Sequence, residues 1–374
     1  MNMSQLSLGF GEKVIFALRS LYDGYGYTQY KMSKFEEYDL YARNKDFLIS
    51  DGVITFTDTN GKLMALKPDV TLSIVKNSRD AVGVQKLYYN ENVYRISRGS
   101  QSFREIMQVG LECLGDIDDY CLTEVLFLAA RSLLCISPAS ILDVSHLGLL
   151  SELMDYFGIP GNEKTALFKF IGEKNAHELA DTCRKLGVSD LGVSVLTELI
   201  GLSGTIQTVL PRMTQLLTGR VSEDTLTHFT RVLKVLADSD VSGVLHIDFS
   251  VVDDFHYYNG IVFKGFIAGL PSSILSGGQY DKLMRKMHRT AGAIGFAVYM
   301  DLLERLDRRS REFDVDAVIL YDDTADLSAL RAKVDELATA GKVVLAQRQK
   351  PEQVKYRKLL RLQDNQVEVL EDHA

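Results

Sequence analysis

The chain has 374 residues, 46% of them hydrophobic and 25% charged, and a net charge of −8. That composition fits a globular protein long enough for two or three domains, and its acidic balance argues against a broad non-specific nucleic-acid surface. No apolar run approaches the ~20 residues of a membrane span, and MNMSQLSLGFGEKV lacks the build of a signal peptide, so a cytoplasmic location is expected. The cysteines Cys113, Cys121, Cys135 and Cys183 form no C-x-x-C pair and read as buried thiols. No metal site and no cofactor is implied.

Residues 9–23 predict an amphipathic helix with Val14, Leu18 and Leu21 on one face. A strand follows over Tyr25–Met32, and a hairpin over 45–66 with its turn at Thr59-Asn60-Gly61. In LKPDVTLSIVKN, from Leu66 to Asn77, Pro68 suits a first helical turn and Asp69 puts negative charge at its N-terminus.

The stretch from Lys86 to Gly115 reads as strand, loop, strand. In its second strand Arg104, Ile106, Gln108, Gly110 and Glu112 share one parity and therefore one face. Gly110 leaves a gap between an amide and a carboxylate, which suits a small ligand with N–H donors. A solvated sheet face is the plainer alternative.

A helix over Asp118–Leu134, then a strand and a helix stopping at Gly158 and Pro160, come next. Residues 161–240 read as wholly helical. From Val244 the chain is β again, through Tyr257-Tyr258-Asn259-Gly260 and SILSGGQYDKLM to GAIGFAVYMDLLERL. After residue 313 the pattern is strand, helix over 326–339, strand, short helix and a last strand.

Taken in order, these segments resemble the motifs of class II aminoacyl-tRNA synthetases in the form found in histidyl-tRNA synthetases. KMSKFEEYDLYARN is similar to the first motif, a dimer-interface element, with Ser33 in place of its proline. FREIMQVGLECLG matches the second, whose Gln and Glu hold histidine. Asp69 and Thr71 fall where that family binds the amino group, and Tyr258 where it contacts the imidazole. The resemblance implies an α+β fold with a class II synthetase-like core, an antiparallel sheet flanked by helices, over residues 1–312. It also implies a helical insertion at 161–240 and a small α/β domain over 313–374, a reduced form of the anticodon-binding domain.

By the same resemblance Asp69, Thr71, Gln108, Glu112, Tyr257 and Tyr258 would bind histidine, and Arg95 and Arg104 an anion or nucleotide. The departures fall on the chemistry. Asp253 stands where the family has an arginine, Leu302 where it has another, with Arg305 one turn on, and Ser97 replaces an acid. Adenylate formation needs fixed cations at the phosphates. A site with its ligand shell and without its chemistry resembles the regulatory subunits of ATP phosphoribosyltransferase, the first enzyme of histidine biosynthesis. That family implies L-histidine as ligand, a short-form catalytic subunit as partner, a homodimer within a larger hetero-oligomer, and no aminoacylation or tRNA binding. A divergent histidyl-tRNA synthetase, a paralogue sensing another small metabolite, and a scaffold with an empty pocket are the alternatives.

Overall fold

The computed structural model describes residues 9–45, 48, 52–78, 83–96, 102–252, 257–303, 312–363 and 366–373. Contacts divide the chain into a unit of residues 14–302 and a second unit containing the region after Leu303. Ser97, Asp253 and Arg305 lie outside the described residues.

Helix α1 (Phe10–Gly24) buries Val14, Leu18 and Tyr22, four residues apart on one stripe. Tyr22 rather than Leu21 completes that face because its hydroxyl meets Ser132 at 2.9 Å inside the core. The expected strand at Tyr25–Met32 shrinks to β1 (Thr28–Gln29). The hairpin β3 (Thr55–Thr57) and β4 (Leu63–Leu66) forms, and β2 (Phe35–Glu37) makes it three-stranded. Between β2 and β3 lies the short α2 (Tyr38–Ala42).

Helix α3 (Thr71–Asn77) leads to the long hairpin of β5 (Val84–Ile96) and β6 (Phe103–Gly115). Then come α4 (Asp119–Ile136), β7 (Ser140–His146) and α5 (Leu147–Tyr156). The helical stretch holds α6 (Lys164–Gly172), α7 (Ala176–Lys185), α8 (Asp190–Gly201), α9 (Ile206–Leu217) and α10 (Glu223–Ala237). It is not wholly helical: β8 (Ser203–Thr205) joins the main sheet at its edge. Three residues with a central glycine carry no period by which a strand could be read. The unit closes with β9 (Leu245–Asp248), β10 (Ile261–Ile267), β11 (Leu275–Gln279), α11 (Asp281–Lys286) and β12 (Gly292–Tyr299).

Among the described residues the main sheet has nine strands in the order β1-β5-β6-β12-β11-β10-β7-β9-β8. Its middle, from β5 to β7, is antiparallel throughout. One face packs on α4, which contacts β7, β10 and β12. The opposite face is covered near β5 and β6 by α3, α11 and the tyrosines 257 and 280. Both faces of β6 are therefore buried from Gln108 to Leu114, which removes the solvated-face alternative.

The glycine pair in SILSGGQYDKLM resembles a turn of the synthetase family, and the structure corrects that expectation. Gly277 and Gly278 sit inside β11, not in a turn. A side chain at Gly277 would meet Phe296 Cβ at 2.5 Å, so the glycine serves close strand packing. Of the cysteines, Cys113, Cys121 and Cys183 are buried and Cys135 is exposed, on the outer side of the last turn of α4.

In the C-terminal unit β13 (Val315–Leu320), α12 (Leu327–Thr339), β14 (Val344–Gln347), β15 (Tyr356–Gln363) and β16 (Gln366–Asp372) form a sheet ordered β14-β13-β15-β16. The expected short helix is the central strand β15. KYRKLLRL fits a helical stripe as well as a strand. Pairing decides it: Leu359 and Leu360 enter the cores on opposite sheet faces.

Candidate functional site

The cleft is built on four strands in register. Glu112 on β6 lies opposite Leu87 on β5 and Gly295 on β12, and Gly295 lies opposite Gly278 on β11. The next row is Tyr89, Gly110, Ala297 and Ser276, and the row beyond pairs Gln108 with Tyr299. Paired residues share a face, so Ser276, Gly295 and Ala297 form a floor of small residues with polar ones around it; the gap expected at Gly110 is filled, since a Cβ there would meet the Tyr89 hydroxyl at 2.5 Å. The cleft encloses about 460 Å³ of unfilled space, solvent at its mouth included.

The structure brings Asp69, Thr71, Arg95, Gln108, Glu112, Tyr257 and Tyr258 together around this space. Arg104 is not among them: it is exposed, directly across the hairpin from Arg95. Sequence reasoning missed Tyr89, Ser276, Tyr280 and Tyr299, which also line the cleft. The parity of β5 and β12 carries a signal for Tyr89 and Tyr299. Nothing in the sequence brings Tyr280 to Glu112, 168 residues away.

Glu112 is the centre, at 2% exposure. Its Oε1 accepts from the Thr71 hydroxyl at 2.7 Å and its Oε2 from the Tyr280 hydroxyl at 2.6 Å. Burial pushes its pKa up to about 8, against the pull of those two hydrogen bonds; Asp69 adds to the rise. Burial also raises Asp69, while the Leu72 N–H and the Arg95 guanidinium pull it back. Asp69 Oδ1 accepts from Leu72 N at 2.8 Å, so it caps the start of α3 and faces the cleft at once. Tyr89, Tyr257 and Tyr280 are held well above the ordinary phenol range by burial and keep their protons. Tyr257 and Tyr258 meet edge to face at 4.7 Å. Gln108 is 3% exposed, and no hydrogen bond reaches its amide among the described residues.

Among the described residues, Arg95 is the one cation lining the cleft. Its Nε donates to Pro68 O at 3.0 Å. Lys67 is buried and pairs with Glu91. Two carboxyls, an amide and several hydroxyls can receive a compact ligand rich in N–H groups. They are poorly suited to stabilise charge building on a phosphate.

A pH dependence follows. Glu112 has its folded pKa above its ordinary value of 4.5, so its protonated form stabilises the fold. That contribution is present at low pH and is lost as pH rises through about 8. Without added ligand the protein is expected to melt at a lower temperature at pH 9 than at pH 6.5. Glu112→Gln, which cannot ionise, should show a shallower fall in a melting series across that range.

A family model described as histidyl-tRNA synthetase matches residues 11–303. The chain belongs to the histidyl-tRNA synthetase family. An ATP phosphoribosyltransferase regulatory subunit of Oceanobacillus iheyensis is 28% identical over 296 residues, 78% of this chain and 72% of that protein. The chain is thus a relative of regulatory subunits within this family. In fold it is similar to a structure described as an ATP phosphoribosyltransferase regulatory subunit/histidyl-tRNA synthetase from Bacillus halodurans. That match has a TM-score of 0.71 at 23% identity and covers 94% of this chain and 93% of the other. A HisG:HisZ ATP phosphoribosyl transferase complex from Thermotoga maritima contains a chain matching with a TM-score of 0.60 at 18% identity, over 76% of this chain and 96% of that one. The architecture is α+β with a class II synthetase-like core. No helix among the described residues is long and apolar enough to cross a membrane.

Proposed function

We propose that the chain is the non-catalytic regulatory subunit of an ATP phosphoribosyltransferase, and that L-histidine in the cleft is its feedback signal. One observation carries this reading. The cleft offers acceptors and hydroxyls for a ligand's N–H groups, while its described lining offers a single cation, Arg95. The name of the Oceanobacillus iheyensis relative and the complex from Thermotoga maritima support the assignment to such an assembly.

In this reading the α-ammonium group lies by Asp69, Thr71 and Gln108. The imidazole lies by Glu112 and Tyr258, with Tyr257 packed behind. Arg95 takes the carboxylate, and Arg104 stands outside the mouth. Histidine acts by favouring one packing of a homodimer, or of its assembly with a short-form catalytic subunit. A coupling of ~1–3 kcal/mol suffices for feedback.

The test is calorimetric titration of the purified chain with L-histidine, with and without Mg-ATP, followed by assays with the catalytic subunit. Expected are binding without ATP, no histidine-dependent ATP–pyrophosphate exchange, and histidine-sensitive stimulation of the partner. Exchange by the chain alone would make it a divergent synthetase instead. Selective binding of another metabolite would leave the regulatory role and replace the ligand.

A further inference from the structure

A second cavity lies at the strand ends, outside the histidine cleft. The start of α4, the middle of α10 and the ends of β7 and β11 enclose it, with about 1040 Å³ of unfilled space including its mouth. Its inner wall carries two N–H donors. His146 is 8% exposed, and its Nδ1 accepts from Leu149 N at 3.1 Å at the start of α5. Burial pushes its pKa down to about 4, so the ring is neutral at ordinary pH with its proton on Nε2. No hydrogen bond reaches that Nε2 among the described residues.

Gln279 supplies the second donor. Its Oε1 accepts from Ile261 N at 2.8 Å, which fixes the amide. Its Nε2 has no partner among the described residues and belongs to the same cavity. Ile261 is the ladder partner of His146, so the strands bring both side chains to the same cavity. His146 is buried and Gln279 half-buried; polar groups so placed normally find partners, and here the open space is where a partner fits.

The walls and rim narrow the ligand class. Phe229 packs edge to face on the His146 ring at 5.1 Å, with Tyr120 and Leu122 also lining the space. At the rim Asp119 is occupied by His228 and Arg231, each at 2.7 Å, and His228 also approaches Asp224 at 3.3 Å. Asp118 and Asp224 add two more carboxylates. Three acids against one arginine and one histidine repel a phosphate but accept from hydroxyl groups.

We propose that this cavity is a second ligand site and takes an uncharged purine nucleoside. The base would lie against Phe229, its ring nitrogens accepting from His146 Nε2 and Gln279 Nε2. The ribose hydroxyls would donate to the carboxylates at the rim. This site does not depend on the histidine reading.

The test is titration of the full chain with adenosine, and with AMP in parallel. Two variants each take one donor out of the cavity while keeping the acceptor that the backbone needs: glutamate has no N–H, and the shorter asparagine draws its N–H back from the place of His146 Nε2. Gln279→Glu retains an oxygen for Ile261 N, and His146→Asn retains a capping oxygen for Leu149 N. Expected are saturable adenosine binding, weaker binding of AMP, and a loss of about tenfold in each variant. Melting curves confirm that both variants fold, and the L-histidine isotherm of His146→Asn should match that of the parent. No saturable adenosine binding, AMP binding tighter than adenosine, or equal affinity in both variants and the parent would each overturn the proposal. Adenosine binding without histidine binding would leave this site standing and remove the histidine reading.

Discussion

Glu112→Ala is expected to weaken L-histidine binding by about ten- to a hundredfold, measured by calorimetry. A hydrogen bond involving a charged group contributes about 1.5–3 kcal/mol, and about 1.4 kcal/mol is a factor of ten. The variant removes the acceptor proposed for the imidazole. It also strands two groups at once, because Thr71 and Tyr280 both donate to this carboxylate. Glu112→Gln separates the two effects. It fills the same space, but its NH₂ must face one of those hydroxyls, which then turns from donor to acceptor. The glutamine variant should therefore fold nearly as well as the parent and bind histidine at an intermediate level. Unchanged affinity in both variants would move the histidine site elsewhere.

Gly295→Ala should have the largest effect on stability. A Cβ there would fall within the Glu112 carboxylate and 2.5 Å from Leu111 O. The carboxylate could swing away, but the carbonyl is fixed in the β6–β12 ladder. Overpacking of this kind costs about 1–3 kcal/mol, enough to lower the melting temperature by several degrees. Histidine binding should fall with it, since Glu112 is displaced. Gly24→Ala, where a Cβ meets nothing within 4 Å, is the control. Combining Gly295→Ala with Glu112→Ala should cost less than the sum of the two, because one clash disappears. Strict additivity would show that Glu112 does not press on β12.

The site was legible where chemistry and period coincide. Gln108, Gly110 and Glu112 alternate along one strand, and that alternation alone places them on one face. Asp69 was legible by its place before an apolar helix, and it proves to have both meanings, cap and cleft wall. What stayed hidden was assembly across distance. Tyr280 follows a glycine pair that reads locally as a turn, and only the β11–β12 pairing brings it to Glu112. Arg104 shows the opposite failure: its parity puts it on the cleft face, but its side chain is exposed and its partner across the hairpin, Arg95, takes the place in the lining. In β8 and β15 the local pattern was too short or fitted two structures, and neighbouring strands decided.

The edge strand β8 bears on how the helical region can change. Ser203–Thr205 pairs with β9, and Lys174 reaches Asp248 at the end of that strand. The region is woven into the sheet, not hung from it. Cutting it out would unzip one side of β9 and leave a raw row of backbone donors and acceptors on the core. Its helices can drift in sequence, but the three residues of β8 tie it to the core like a stitch in a seam.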